Sequence, residues 1–295
     1  MERRQRPKKG GLATAAALLL LLGLAASWLL GSILVRPTPS AVPAASPPAS
    51  DLTLKSSDGL TIAATYWPGR NPHGSAVLLL HGNNASRGAT ATNAAWLGRR
   101  GYAALTIDLR GHGESAAAPR SFGLHESRDA AAALSWLKQN RGHRRVAIVG
   151  ISLGGASALI GEDGPLPADA LVLQAVYPDI RSAIRNRIAG LLGRPPAVLL
   201  EPLLSYQSHL RLGEPPSRFS PLRAIARYKG PVLIIGGAED GHTPPSETRA
   251  LFGAAPGRKA LWIAPGLDHP AVSDVGSEEY RSRLAAFLAA TVGTP

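Results

Sequence analysis

A short segment with the sequence Gly-Ile-Ser-Leu-Gly occupies positions 150–154, and a further glycine follows it. It comes directly after the apolar run 146–149 and before a stretch rich in alanine and leucine, which places the serine on a tight turn between a strand and a helix. Small residues beside the serine let strand and helix pack closely, because glycine tolerates backbone angles that a side chain would block. The pattern predicts that Ser152 is a nucleophile whose hydroxyl stands clear of a sheet.

A serine hydroxyl is a weak nucleophile near neutral pH, so it needs a general base. His269 is the best candidate, because it follows the last predicted strand in a loop that can reach over the sheet edge. His242 is its main rival. His81 is expected to shape the loop after its strand, and two further histidines are expected at solvated positions, His143 and His209.

The base in turn needs a carboxylate to orient it. Asp240 is the preferred acid, since it lies in the turn-rich loop 236–245 after a buried strand. Asp179, which follows the preceding strand, remains an alternative. Glu239 is a weaker choice, and Asp268 adjoins the predicted base directly, where side chains seldom orient each other well.

Acyl transfer also needs two donors aimed at the developing oxyanion. One is predicted to be the backbone N–H of Leu153, next to the nucleophile, and the other the backbone N–H of Asn83, in the loop after a buried strand. Ordinary turn chemistry is the alternative explanation for Asn83 and its neighbour Asn84.

Short apolar runs alternate with helical patterns through most of the chain. Strands are predicted at 52–55, 60–67, 76–80, 102–107, 146–149, 170–176, 231–235 and 260–263. Helices are predicted at 91–100, 124–139 and 278–290. This alternation is typical of an α/β protein with a mostly parallel central sheet flanked by helices.

One stretch, from about 178 to 229, interrupts the alternation. It carries many prolines and eight arginines against two glutamates. Because ligands of open α/β sheets bind at the strand ends that such an insertion would cover, we interpret it as a helical lid. A solvated surface excursion is the alternative.

The amino terminus divides into three parts. Residues 1–11 are basic, residues 12–35 contain no charge and are long enough to cross a bilayer, and residues 36–50 are rich in Pro, Ala and Ser. We expect a cytoplasmic N-terminus, a transmembrane anchor, and a linker with too little apolar content to pack. A cleaved signal peptide is the alternative; either way the domain at 51–295 lies outside the cytoplasm.

Composition narrows the classes of partner. The 295 residues carry a formal net charge of +12, no cysteine, and 5% aromatic residues. Disulfides and cysteine-ligated metals are therefore excluded, and the scarcity of aromatics disfavours nucleic-acid binding. The charge suits an anionic membrane surface. The expected partners are the membrane and a small-molecule or lipid-like acyl substrate, with the oligomeric state left open.

Taken together, the motifs resemble those of the α/β-hydrolase superfamily, in its esterase, lipase and serine-aminopeptidase-like branch, over residues 52–292. They are His81-Gly82, Asp108-x-Arg110-Gly111-His112-Gly113-x-Ser115, the 150–155 segment, the Asp240 loop and Asp268-His269. The resemblance implies an α/β-hydrolase fold, with Ser152 as nucleophile, Asp240 as acid and His269 as base. It also implies a structural role for the 110–113 loop. The sequence contains no metal-ligand cluster and no phosphate-binding glycine loop, so no cofactor and no metal are expected.

The activity that this resemblance implies is hydrolysis of a carboxylic ester, thioester or amide through an acyl-enzyme. A serine peptidase or aminopeptidase is the nearest alternative, and a non-catalytic binding protein of the same fold is an alternative of another class. Asn83 and Asn84 depart from the small or glycine-rich residues that many relatives carry there. This departure concerns the loop that is expected to supply an oxyanion donor and to border the substrate entrance.

Overall fold

A computed structural model describes residues 9–269 and 277–293. Its strands are β1 Thr38–Pro39, β2 Ser50–Lys55, β3 Thr61–Trp67, β4 Ala76–Leu80, β5 Ala103–Ile107, β6 His112–Gly113, β7 Val146–Ile151, β8 Ala170–Gln174, β9 Val232–Gly237 and β10 Lys259–Ala264. Its helices are α1 Lys9–Val35, α2 Gly88–Arg99, α3 Glu126–Ser135, α4 Leu153–Leu159, α5 Ile180–Leu192, α6 Arg194–Ser205, α7 Gln207–Leu212, α8 Pro221–Ile225, α9 Pro245–Ala254 and α10 Glu278–Thr291.

The central sheet has eight strands in the order β10-β9-β8-β7-β4-β5-β3-β2. Pairing is parallel from β10 to β5, whereas β3 runs antiparallel to both β5 and β2. Every residue of β4, β5, β7, β8 and β9 is buried. Helices cover both faces of these strands, which explains why their sequences are continuous apolar runs without alternation.

The sequence-based expectation for the sheet is confirmed. Each predicted strand is present, with ends within two residues of the predicted bounds. The helix predicted at 124–139 is α3 followed by a π-helical turn at Trp136–Asn140. A largely parallel sheet brings the carboxyl ends of β4, β7, β8, β9 and β10 to one edge, and the candidate site lies there.

The insertion between β8 and β9 is helical, as predicted for the lid. It comprises α5, α6 and α7, a short 3-10 turn at Pro216–Arg218, and α8. Asp179 is the N-cap residue of α5, and its carboxylate accepts a hydrogen bond from the backbone N–H of Ser182 at 2.9 Å. Gly193, with a φ of +84°, separates α5 from α6.

The N-terminal helix α1 is long and apolar. Within it, Ala13–Val35 is 23 residues long with a mean hydropathy of 2.4, which meets the length and composition of a membrane span. Only 6% of its most apolar window is buried in the protein, so it is not a core helix. A signal sequence near an N-terminus satisfies the same criteria.

Two local expectations are wrong. The 36–50 segment was expected to form no packed element, but β1 pairs with β6, and the backbone N–H of Ser40 donates to the carbonyl of Gly113 at 2.9 Å. Backbone hydrogen bonds of this kind need no apolar side chains. His143 was expected to be solvated, but it is buried, with its ring nitrogens 3.1 Å from the Tyr66 hydroxyl and 2.9 Å from the Gly74 carbonyl.

Candidate active site

Ser152 lies on the turn between β7 and α4 in a strained backbone conformation. Its φ is +47° and its ψ is −107°, values that a residue with a side chain rarely adopts. The turn is held from the sheet side, because the N–H of Ser152 donates to the carbonyl of Gln174 at 2.8 Å. The residue is 5% exposed. This turn places Ser152 at the carboxyl end of β7, at the edge of the sheet, as the sequence pattern predicts.

The glycines around the turn allow helix and strand to touch. A Cβ at Gly154 would lie 2.6 Å from Cβ of Leu80 at the end of β4, and one at Gly150 would lie 2.6 Å from the backbone of Gly155. Neither position has room for a methyl group without a backbone shift. The spacing of small residues in this segment is therefore a packing requirement.

Asp240 and His269 are hydrogen-bonded to each other. His269 Nδ1 lies 2.8 Å from Asp240 Oδ2. Because a carboxylate only accepts hydrogen bonds, Nδ1 carries the proton, and Nε2 is left as the basic nitrogen. Asp240 is 2% exposed, and its Oδ1 accepts from the backbone N–H groups of His242 and Thr243, both at 2.8 Å. These contacts hold a buried carboxylate in one orientation.

The residues that the sequence offered as alternative acids or as a rival base lie outside the Asp240–His269 pair. Asp179 caps α5, and both Glu239 and Asp268 are exposed. The His242 ring lies edge-on to the His269 ring, with centroids 5.0 Å apart. Burial lowers the pKa of His242, with smaller effects from the Arg187 and His269 charges, so a neutral ring is favoured beside His269.

Ser152 borders two cavities. The more polar of the two, of about 310 Å³, has His242, His269 and the loop after β4 in its walls. An apolar one of about 210 Å³ lies under the lid. Both cavities are also bordered by Asn83 and Arg187. Ser152 therefore lies at the boundary that the two cavities share.

Arg187, on α5, lies at the boundary of the two cavities. One of its Nη atoms donates to the Ala183 carbonyl at 2.9 Å. Burial lowers the pKa of its guanidinium, while Tyr177 and Asp240 raise it more weakly. The lid therefore contributes a partly desolvated positive charge to the vicinity of Ser152. The sequence shows Arg187 only as one of eight arginines in the lid, with no local signal to single it out.

The loop after β4 lies against the turn that carries Ser152. A Cβ at Gly82 would be 3.8 Å from Cβ of Ser152, which is ordinary van der Waals contact. The side chain of Asn83 accepts a hydrogen bond from Arg120 Nη1 at 2.8 Å, and the same guanidinium contacts the Asn84 side chain. Asn84 itself has a φ of +59°. Sequence reasoning placed Asn83 here but missed Arg120, because the contact spans 37 residues.

His81 supports this loop from beneath, in the role expected for it. Its Nδ1 donates to the Gly82 carbonyl at 2.7 Å, and its Nε2 accepts from the N–H of Leu109 at 3.0 Å. Only a neutral ring can make both contacts. Burial, together with the neighbouring His112, lowers the pKa of His81 to about 3.

Comparisons with known proteins agree with this architecture. A family model described as serine aminopeptidase, S33, matches residues 71–207. The uncharacterized protein Rv2307c of Mycobacterium tuberculosis is 30% identical over 239 residues, which cover 79% of this chain and 78% of that protein. The uncharacterized protein YqkD of Bacillus subtilis is 30% identical over 179 residues; the match spans 58% of its length and 60% of this chain.

Solved structures share the fold. The Pyrococcus furiosus esterase Pf2001 superposes with a TM-score of 0.69 at 21% identity, covering 88% of this chain and 99% of that one. The esterase RhEst1 of Rhodococcus has a TM-score of 0.57 at 19% identity, covering 82% and 99%. The chain belongs to the α/β-hydrolase superfamily. This membership supports hydrolase activity.

Proposed function

We propose that this protein is a serine hydrolase that cleaves a carboxylic ester through an acyl-enzyme. The observation that carries the proposal is the His269–Asp240 hydrogen bond at one edge of a cavity that Ser152 also borders. A nucleophile on a strained turn, a histidine with a basic Nε2 and a buried carboxylate are the three groups that acyl transfer by serine requires.

In the proposed reaction, His269 Nε2 takes the proton of the Ser152 hydroxyl as Oγ attacks the ester carbonyl. Asp240 stabilises the imidazolium that forms. The tetrahedral intermediate collapses with loss of the alcohol, to which His269 returns the proton. A water molecule, deprotonated by His269, then attacks the acyl-enzyme and releases the carboxylic acid and free Ser152.

The oxyanion of the intermediate is proposed to accept hydrogen bonds from the backbone N–H groups of Leu153 and Asn83. Leu153 is the first residue of α4, where backbone N–H groups have no partner within the helix. Asn83 borders both cavities beside Ser152. Arg120 and His81 fix the loop that carries Asn83, so its N–H is oriented before substrate binds.

Amide hydrolysis is a second candidate, favoured by the match of residues 71–207 to the serine aminopeptidase model. The two candidates share the same chemistry and differ in the leaving group. Hydrolysis of aminoacyl p-nitroanilides, measured beside p-nitrophenyl esters, separates them. We expect the esters to be cleaved faster.

We further propose that α1 anchors the protein and that the domain from residue 51 lies outside the cytoplasm. The basic residues 1–11 would then be cytoplasmic, and residues 36–50 would connect anchor and domain. We expect full-length protein to stay in the membrane fraction after a high-salt wash. A mature N-terminus near Ala45 would instead indicate a cleaved signal sequence.

The assignment of the nucleophile is tested by hydrolysis of p-nitrophenyl butyrate. Ser152→Ala is expected to lower kcat at least ~10³-fold, the order of loss that follows removal of a catalytic triad member. Ser157→Ala is the matched control, because this serine lies in α4 and its hydroxyl donates to the Leu153 carbonyl at 2.7 Å. Equal activity of the wild type and Ser152→Ala would refute the proposal.

A further inference from the structure

The apolar cavity beside Ser152 takes most of its wall from α1 and the lid, two elements that are distant in the sequence. Leu30 and Leu34 of α1 form one side. The lid forms most of the other, through the apolar side chains Ile180, Ile184, Ile188, Leu191 and Leu204. The N-terminal helix is thus part of the wall of the space next to the proposed nucleophile, and not only a tether.

Polar contacts fix the C-terminal part of α1 against the lid. Gln207 Nε2 donates to the Ser27 carbonyl at 2.9 Å. An Nη atom of Arg211 donates to the Trp28 carbonyl at 2.7 Å and lies 2.9 Å from the Ser32 hydroxyl. The Arg211 guanidinium also lies 3.8 Å from the centre of the Trp28 ring. These contacts give α1 a defined position relative to the cavity.

Exposed apolar side chains are concentrated in the same two elements. Among the described residues, every exposed large hydrophobic side chain belongs either to α1 or to the lid between 191 and 210. The lid members are Leu191, Leu192, Val198, Leu199, Leu200, Leu203, Tyr206 and Leu210. Scattered exposed leucines are ordinary, but a concentration beside an apolar helix of membrane-spanning length marks a lipid-facing surface.

The length of α1 sets how deep this surface would lie in a bilayer. At 1.5 Å per residue, Ala13–Val35 is about 35 Å long, against a hydrocarbon core of about 30 Å. The contacts with the lid begin at Ser27, about 12 Å along the helix from Val35. With α1 spanning the bilayer, the exposed leucines of the lid and the α1 side of the apolar cavity lie at the level of the outer acyl chains.

We infer that the substrate is a lipid ester, and that its acyl chain enters the apolar cavity directly from the bilayer, between α1 and the lid. The ester carbonyl would lie at Ser152, and the leaving group would occupy the polar cavity beside His269. The inference rests on the proposed serine hydrolase activity and adds the substrate class and its route. It assigns Leu30 and Leu34 to substrate binding.

The test uses full-length protein in phosphatidylcholine vesicles that carry 4-methylumbelliferyl oleate, with p-nitrophenyl acetate in the aqueous phase as the short-chain reference. Leu34→Trp and Leu30→Trp place a larger side chain in the cavity wall. Leu29→Trp is the matched control, because Leu29 is 64% exposed on the same helix and does not border the cavity. The measured quantity is kcat/KM for the oleate divided by kcat/KM for the acetate.

We expect this ratio to fall at least tenfold in Leu34→Trp and in Leu30→Trp, and to keep its wild-type value in Leu29→Trp. An unchanged ratio in both cavity variants would overturn the inference, as would an equal fall in the control. Wild-type cleavage of the acetate but not of the oleate would also overturn it, while leaving the serine hydrolase intact. Absence of any Ser152-dependent cleavage of the acetate would defeat the proposed function itself.

Discussion

The two sides of Ser152 are built in different ways. On the sheet side, polar groups are held by backbone hydrogen bonds, as where Asp240 accepts from two N–H groups and His81 bridges two loops. On the helical side, α1 and the lid surround an apolar cavity and expose leucines to their surroundings. Under the proposed function, this difference means that the strand ends hold the reacting groups, whereas the helices select the substrates that reach them.

This division assigns different consequences to substitutions in each region. A change at the sheet edge is expected to alter the rate of the chemical step or the stability of the domain. A change in α1 or the lid is expected to alter which substrates are cleaved. The four predictions that follow test this division.

The largest effect is expected from Asp240→Asn. An amide cannot stabilise the imidazolium form of His269 and favours the wrong tautomer, so kcat for p-nitrophenyl butyrate should fall by about 10³- to 10⁴-fold. Asp179→Asn is the control, because Asp179 is not the carboxylate that is hydrogen-bonded to His269. Asparagine at this position can still cap α5. An equal loss in the two variants would contradict the division.

A smaller effect, on stability, is expected from Gly154→Ala. The added methyl group would press on Leu80 at the end of β4, and overpacking of this kind costs about 1–3 kcal/mol of unfolding free energy. Gly253→Ala in α9 meets no atom within 4 Å and should be neutral or stabilising by up to about 1 kcal/mol. Urea unfolding of both variants measures the difference. Equal stabilities would mean that the close approach of α4 and β4 is not required.

On the sheet side, the burial of His81 should make the stability of the domain depend on pH. Burial lowers the pKa of His81 to about 3 from an unfolded value of about 6.5, so the unfolded state binds the extra proton first. The stabilisation from the neutral ring is therefore complete above pH 6.5 and is lost as the pH falls toward 3. Linkage gives a loss of about 1 kcal/mol between pH 7 and 5.5 for this one group.

Unfolding measured at both pH values in wild type and His81→Gln tests this prediction. Glutamine can both donate and accept but does not titrate, so the variant should lose less stability on acidification than the wild type. A steeper loss in His81→Gln would show that the ring is not held neutral.

The smallest effect is expected where α1 meets the lid. A Cβ at Gly31 would overlap the Gln207 side chain, so Gly31→Leu should displace this side chain from its contacts with the Ser27 carbonyl and hydroxyl. Loss of one such bond, about 1 kcal/mol, corresponds to about a fivefold fall in oleate hydrolysis. Gly23→Leu adds the same side chain to the same helix where no atom lies within 4 Å. Equal oleate hydrolysis by both variants would argue against a fixed position of α1.

The sheet could be predicted from the sequence because its information is local. Strands buried on both faces are continuous apolar runs, and the Gly-Ile-Ser-Leu-Gly segment combines a strand, a tight turn and a helix within a few residues. The order of the candidate residues along the chain followed from the family resemblance. The Asp240–His269 contact joins loops that come after two adjacent strands, so the topology brings them together.

The contacts that escaped prediction connect distant parts of the chain. Arg120 reaches Asn83 across 37 residues, and Gln207 reaches Ser27 across 180. Neither contact leaves a periodic pattern, and each depends on how elements pack after the sheet has formed. The pairing of β1 with β6 escaped for the same reason, since two residues make backbone hydrogen bonds without any apolar signal.

The most direct test of the central claim is labelling with a fluorophosphonate, which reacts with activated serines. We expect one adduct per chain, located by mass spectrometry on the Ser152 hydroxyl, and formed rapidly in the wild type and in Ser157→Ala. The adduct should be absent in Ser152→Ala and slowed strongly in Asp240→Asn. Labelling of Ser152→Ala at the wild-type rate, or an adduct on another serine, would contradict the assignment of Ser152 as the nucleophile.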